Sequence, residues 1–239
     1  MSSHFAVLGL NVRNGEELAG LVEAVLGTGE LVEASPGGED LLWADPSGAA
    51  LLLEMTGTSV SGVLPFFSGG GLVPVRGIAL VPDDPDIATM EVLDEVGELH
   101  YPVAAELVDR GALRAGGGTL DHAAVAFTGL AESITVFPGV DAFEAANPTL
   151  DPGAFVPSGL FVADGDQAPT AHALVNGTVL AAELRTNELS GLPFLRMTLA
   201  TLGMDALEVV AAQTDVEGVP QPGAVVQATV FLTGRLAPA

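Results

Sequence analysis

The chain has 239 residues, 49% of them hydrophobic, enough to bury a sizeable core without covalent staples. It contains no cysteine, which excludes disulfides, thiolate metal ligands, cysteine nucleophiles and iron–sulfur clusters. Thirty-one acidic residues face seven arginines and no lysine, and the net charge of −24 repels phosphate backbones and anionic lipid, so neither nucleic acid nor membrane is expected as a partner.

Met1-Ser2-Ser3-His4 lacks the basic region of a signal peptide, and no run of about 18 uninterrupted apolar residues follows, so the expected compartment is the cytoplasm. Charged residues make up only 16% of the chain, an apolar surplus that suggests burial between the subunits of a homo-oligomer. Phe5 to Val12 reads as a buried strand. Asn14 followed by Glu17 marks a helix start, and Leu18, Leu21, Val22, Val25 and Leu26 recur at helical spacing until Gly27 and Gly29 end the pattern. Residues 30–34, 40–44 and 49–55 read as three short strands separated by Ser35-Pro36-Gly37-Gly38 and Asp45-Pro46-Ser47-Gly48. The opening unit, residues 1–55, is therefore expected to be βαβββ.

Residues 56–71 are rich in Gly, Ser and Thr and read as a connector. Gly69-Gly70-Gly71 has neither the spacing nor the lysine of a phosphate loop. A strand at 75–81 is expected to lead into a helix capped by Asp84, with Pro85 at its first position and Ile87, Met90 and Leu93 on its buried side. Strands at 120–127 and 134–137 and a short helix at 141–146 precede a stretch broken by Pro and Gly up to Pro169. Beyond it, residues 171–185 form a long strand candidate interrupted at Asn176-Gly177. Further strands follow at 195–200, 206–211 and 226–233.

Residues 4–55 resemble a half-module of the vicinal oxygen chelate (glyoxalase-like) superfamily, through the order of elements and the turn Leu42-Trp43-Ala44-Asp45-Pro46-Ser47-Gly48-Ala49 followed by Leu51-Leu52-Leu53-Glu54. That resemblance implies metal ligands at the start of the first strand and on the last, the places of His4 and Glu54. The second module's first strand, Pro74-Val75-Arg76-Gly77, offers no ligand; His100 or His122 would have to substitute. Residues 171–236 resemble an OB-fold barrel in strand order, with too few aromatic and basic residues for binding single strands.

The expected fold is α+β: an N-terminal mixed domain, residues 1–168, containing the βαβββ unit, and a C-terminal small antiparallel OB-like β barrel, residues 169–239. Trp43, Phe66 and Phe67 are candidates for an apolar ligand pocket or for plain core. Arg185, Arg196 and Arg235 form either a local anion site or ion pairs with Glu183, Glu188 and Glu208. His4, Glu54 and His122 are the candidate metal ligands. Residues 57–62 miss the Gly-x-Ser-x-Gly spacing of a nucleophile elbow by one position. No convergent catalytic set stands out. The expected function is non-catalytic and without a cofactor: binding a small neutral or cationic molecule, or a protein partner. The alternative is a lyase, isomerase or dioxygenase dependent on one divalent metal ion.

Overall fold

The computed structural model describes residues 3–35, 38–94, 96–160 and 169–237. Helix α1 (Gly15–Leu26) begins as its sequence dictates. Asn14 is extended, its side-chain oxygen accepts the Glu17 N–H at 3.0 Å, and Glu16 and Glu17 occupy the electropositive first turn. Only Val25 of its apolar stripe is fully buried, so α1 lies shallowly on the fold.

Among the described residues no strand precedes it. Residues Ala6–Leu8 form a 3-10 turn that ends at Gly9 with φ 73°. Val7, Leu8 and Leu10 are buried as their hydrophobicity requires, but the backbone is held by side chains instead of a ladder. The Asn187 amide donates to the Leu8 carbonyl at 3.1 Å, and the Ser190 hydroxyl donates to the Gly9 carbonyl at 2.6 Å. A Cβ on Gly9 would stand 2.7 Å from the Leu192 carbonyl oxygen, so the left-handed backbone and the close approach both demand glycine. Asn187 is fully buried, and its own oxygen accepts the Leu189 and Ser190 N–H groups. Asn187→Ala is expected to cost about 2 kcal/mol, because it strands a buried carbonyl and two amides together. Urea unfolding checks this, and a loss below about 0.5 kcal/mol would show that water replaces the amide.

Strands β1 (Glu30–Ser35), β2 (Gly38–Ala44), β3 (Ala49–Thr56) and β4 (Ser59–Phe67) form an antiparallel meander in that order. The three expected strands are present. The turn residues Pro36 and Gly37 lie outside the described residues. The expected connector at 56–71 instead contains β4, which pairs with β3 from Ala49↔Phe67 to Thr56↔Ser59. Both faces of the meander are covered. Trp43, Leu51, Leu53 and Phe67 pack on one side with Val25, Leu130 and Phe194, and Leu52, Leu64 and Phe66 pack on the other with Val108.

The second sheet comprises β5 (Leu72–Val81), β6 (Asp84–Leu93), β7 (Leu99–Leu107), β8 (Thr119–Phe137), β9 (Phe155–Val156), β10 (His172–Thr186), β11 (Pro193–Thr201), β12 (Met204–Ala212) and β13 (Val225–Leu236). Helix α2 (Arg110–Ala115) follows β7, and α3 (Val140–Ala146) follows β8 near its expected place. The helix expected after Asp84 is strand β6. Ala88, Met90 and Val92 alternate with Thr89 and Glu91, and an Arg76–Glu91 ion pair of 2.7 Å ties it across to β5. The strands expected at 120–127 and 134–137 are one continuous β8.

Two extra pairings, β8 with β13 and β10 with β11, close the second sheet into two rings, β5-β6-β7-β13-β8 and β10-β11-β12-β8-β13. The rings share the β8–β13 pair, which runs from Val125↔Leu236 to Phe137↔Val225. The four C-terminal strands therefore do not close on themselves as an isolated OB-like barrel. β8, which precedes position 169, completes their ring through a parallel pairing with β12 and an antiparallel one with β13. One apolar cluster, including Met90, Leu107 and Phe127 of one ring and Val175, Met197 and Val209 of the other, runs through both. The architecture is mixed α+β and dominated by strand. Among the described residues no helix is long and apolar enough to cross a membrane.

Candidate functional site

The β8–β13 ladder contains one irregularity. Ser133 faces Thr229 and Ala131 faces Val230, so Glu132 is an extra residue with no opposite number. Such a bulge lifts one side chain out of the alternation and re-aims it. The Glu132 carboxylate, 13% exposed, receives two imidazoles on one oxygen: His4 Nε2 at 3.2 Å and His172 Nε2 at 3.4 Å. Since a carboxylate accepts, His4 donates through Nε2, while His172 makes a close ion-pair contact with the same oxygen and shares a hydrogen bond of 3.0 Å between its Nδ1 and the Thr170 hydroxyl. Phe231 fixes both rings, with His4 tilted over it at 4.5 Å between centroids and His172 nearly perpendicular at 5.5 Å.

Glu132 and His4 border an open cleft of about 490 Å³ between β4, β7, β8 and the N-terminal segment. Val63, Leu64, Pro65 and Phe5 give it an apolar wall, and Glu106 of β7 supplies a second carboxylate. Burial raises the Glu106 pKa from its ordinary 4.5 to about 7; Arg110 opposes the shift, while Asp86, Glu54 and Asp84 add to it. Near neutrality the cleft thus combines a carboxyl able to donate with a second one that accepts.

Behind Glu106 lies Arg110, whose side chain is only 2% exposed. Its guanidinium contacts Glu54 at 3.0 Å, Glu106 at 3.3 Å, Asp86 at 3.3 Å and the Leu107 carbonyl at 3.1 Å. One buried cation is shared among three carboxylates. Glu106 stays raised beside an arginine because its desolvation outweighs the guanidinium's attraction, and repulsion from Asp86 and Glu54 adds to the rise.

The candidates from sequence are distributed differently. His4 enters the cleft, but its partner is Glu132, whereas Glu54 belongs to Arg110. His122 is exposed on β8 opposite Arg76. Among the described residues no group of three or more His, Asp or Glu is placed to hold a metal ion. Trp43, Phe66 and Phe67 are 7%, 2% and 5% exposed core rings, with Phe66 on the face of the meander opposite the other two, so they line no pocket together. Arg196 binds Glu208 through two bonds of 2.9 and 2.8 Å and Glu183 at 2.8 Å, and Arg185 binds Glu183 at 2.6 Å. Arg235 is exposed on β13, where its charge acts on Asp109. The three arginines do not converge, and pairing with Glu183 and Glu208 is what two of them do.

Glu106, Glu132 and His172 had no motif to single them out. The available signal was a lone carboxylate inside an apolar strand run, Val103 to Val108 and Gly129 to Ile134, where a charged residue needs a reason. No protein family, curated protein or solved structure matches the chain.

Proposed function

We propose that the protein is a non-catalytic binding protein for a small neutral or cationic molecule bearing an amine or amide, held in the cleft between Glu106 and Glu132. The observation that carries this reading is the bulge at Glu132, which departs from the ladder to present a carboxylate at the cleft. A protonated Glu106 donates to an amide oxygen, the Glu132 oxygen accepts from an N–H, and the Val63-Leu64-Pro65 wall takes the apolar remainder. The overall charge of −24 draws cations toward the site and repels anions.

Isothermal titration of the native chain with a panel of small amines, guanidines and amides is expected to find saturable binding, and Glu132→Gln is expected to weaken it about tenfold, the loss of one charge-assisted hydrogen bond. Binding that Glu132→Gln leaves unchanged would move the ligand elsewhere. A metal-dependent enzyme of the glyoxalase-like kind would instead require stoichiometric divalent metal lost from a His4→Ala, Glu54→Ala double variant. The separate partners of His4 and Glu54 weigh against it.

A further inference from the structure

β10 extends beyond its neighbour on one side. β11 pairs with it as far as Thr186, but β13 pairs with it only from His172 to Thr178. The last backbone bonds on the β13 side run from the Val179 N–H to the Ala224 carbonyl and from the Gly223 N–H to the Val179 carbonyl. Among the described residues no strand occupies that side from Leu180 to Thr186. Leu180 and Leu184 on this segment are 48% and 46% exposed. A bare edge carrying apolar side chains is a template for another strand.

The charges on the edge say which strand. Glu183 accepts three bonds from Arg185 and Arg196, all on Oε1, leaving Oε2 without a partner among the described residues. In an antiparallel pairing of two copies about a twofold axis, an axis at Leu184 sets Glu183 of each copy opposite Arg185 of the other. It also sets Ala182 opposite Thr186, all within the segment after the irregularity between Val179 and Ala181. Moving the axis to Glu183 would instead set Glu183 against itself, a like-charge pair that destabilises. We infer that the protein forms a homodimer by antiparallel pairing of the 182–186 edge of β10 with the same edge of a second copy, in the register centred on Leu184. The edge is self-complementary in charge and apolar at its centre, whereas two chains of −24 repel each other across their other surfaces.

The absence of cysteine makes the register directly testable. Facing Cα atoms of an antiparallel pair lie roughly 4.5–5.5 Å apart, within the span a disulfide bridges. Mild oxidation of Leu184→Cys is therefore expected to give a covalent dimer. Ala182→Cys and Thr186→Cys should not cross-link alone, since like positions lie roughly 14 Å apart, but should cross-link when mixed. Sedimentation of the native chain at about 100 μM is expected to show a dimer that strengthens from about 0.1 to about 0.5 M salt as the long-range repulsion is screened. Leu184→Lys should weaken it at least about tenfold with an unchanged circular dichroism spectrum. A monomer at both salt concentrations overturns the inference. So does a dimer in which Leu184→Cys fails to cross-link, or one that Leu184→Lys leaves intact, since either places the contact elsewhere. An edge that captures an unrelated extended peptide while the chain alone stays monomeric also overturns it.

Discussion

Arg110→Met is expected to lower folding stability by about 3–5 kcal/mol near pH 8, the largest effect of any single substitution considered. The guanidinium is 2% exposed, and removing it leaves Glu54, Glu106 and Asp86 facing one another around an apolar side chain. Methionine keeps much of the volume, so the loss reads out charge and the bond to the Leu107 carbonyl rather than a cavity. Asp86 is 52% exposed and can relax into water, whereas Glu54 and Glu106, at 24% and 17%, have less freedom to do so. The penalty should shrink as pH falls toward about 5, because Glu106 then takes a proton and one of the three repelling charges disappears. Chemical denaturation of both chains at the two pH values measures this. A loss under about 1 kcal/mol at the higher pH would mean that the buried guanidinium costs nearly as much to desolvate as its partners return.

The sequence made some of this legible and hid the rest for identifiable reasons. The α1 start was readable because Asn14 and Glu17 act on adjacent backbone, within one turn. The strands β1 to β3 and β10 to β13 were readable because turn residues punctuate them and apolar positions alternate. The β6 segment misled because Asp84-Pro85 is a good helix start and Ile87, Met90 and Leu93 fall at a spacing of three. Its pairing with β5 on one side and β7 on the other overrides that local preference. The 5–12 run misled for the opposite reason: its burial was correct, but Asn187 and Ser190, about 180 positions away, take the carbonyls a ladder would have used. The cleft was hidden because a bulge is a property of two strands together. Nothing in the stretch from Gly129 to Ile134 reveals that Val230 will follow Thr229 with no partner for Glu132. His4 was singled out, but for Glu54, and the chain that meets it comes from β8 instead.

Glu106→Gln is expected to stabilise the protein at about pH 8 by on the order of 3 kcal/mol, and to remove the part of the pH dependence between about 4.5 and 7 that Glu106 supplies. The direction follows from which state holds the proton. Burial, the dominant cause, raises Glu106 to about 7 in the folded chain from an ordinary 4.5, so in that interval the folded state binds more protons than the unfolded one. Stability from this group is therefore fully present below about 4.5 and is lost as pH rises through about 7. Burial of Asp109 raises its carboxyl too and adds in the same direction. Glu183 is held low by its hydrogen bonds to Arg185 and Arg196, so its contribution is lost only under more acidic conditions and does not mask the effect. Glutamine preserves the shape and can still accept from Arg110 while carrying no charge to desolvate, so it behaves as a permanently protonated Glu106. General repulsion within a chain of −24 also favours lower pH, but it is shared by both proteins and cancels in their difference. Thermal unfolding of the two chains across this range should give curves that meet near pH 4.5 and separate above it, roughly as the linkage slope requires. Parallel curves would show Glu106 to be ionised throughout, and the cleft would then hold two carboxylates instead of a donor facing an acceptor, which would narrow its ligands to cations.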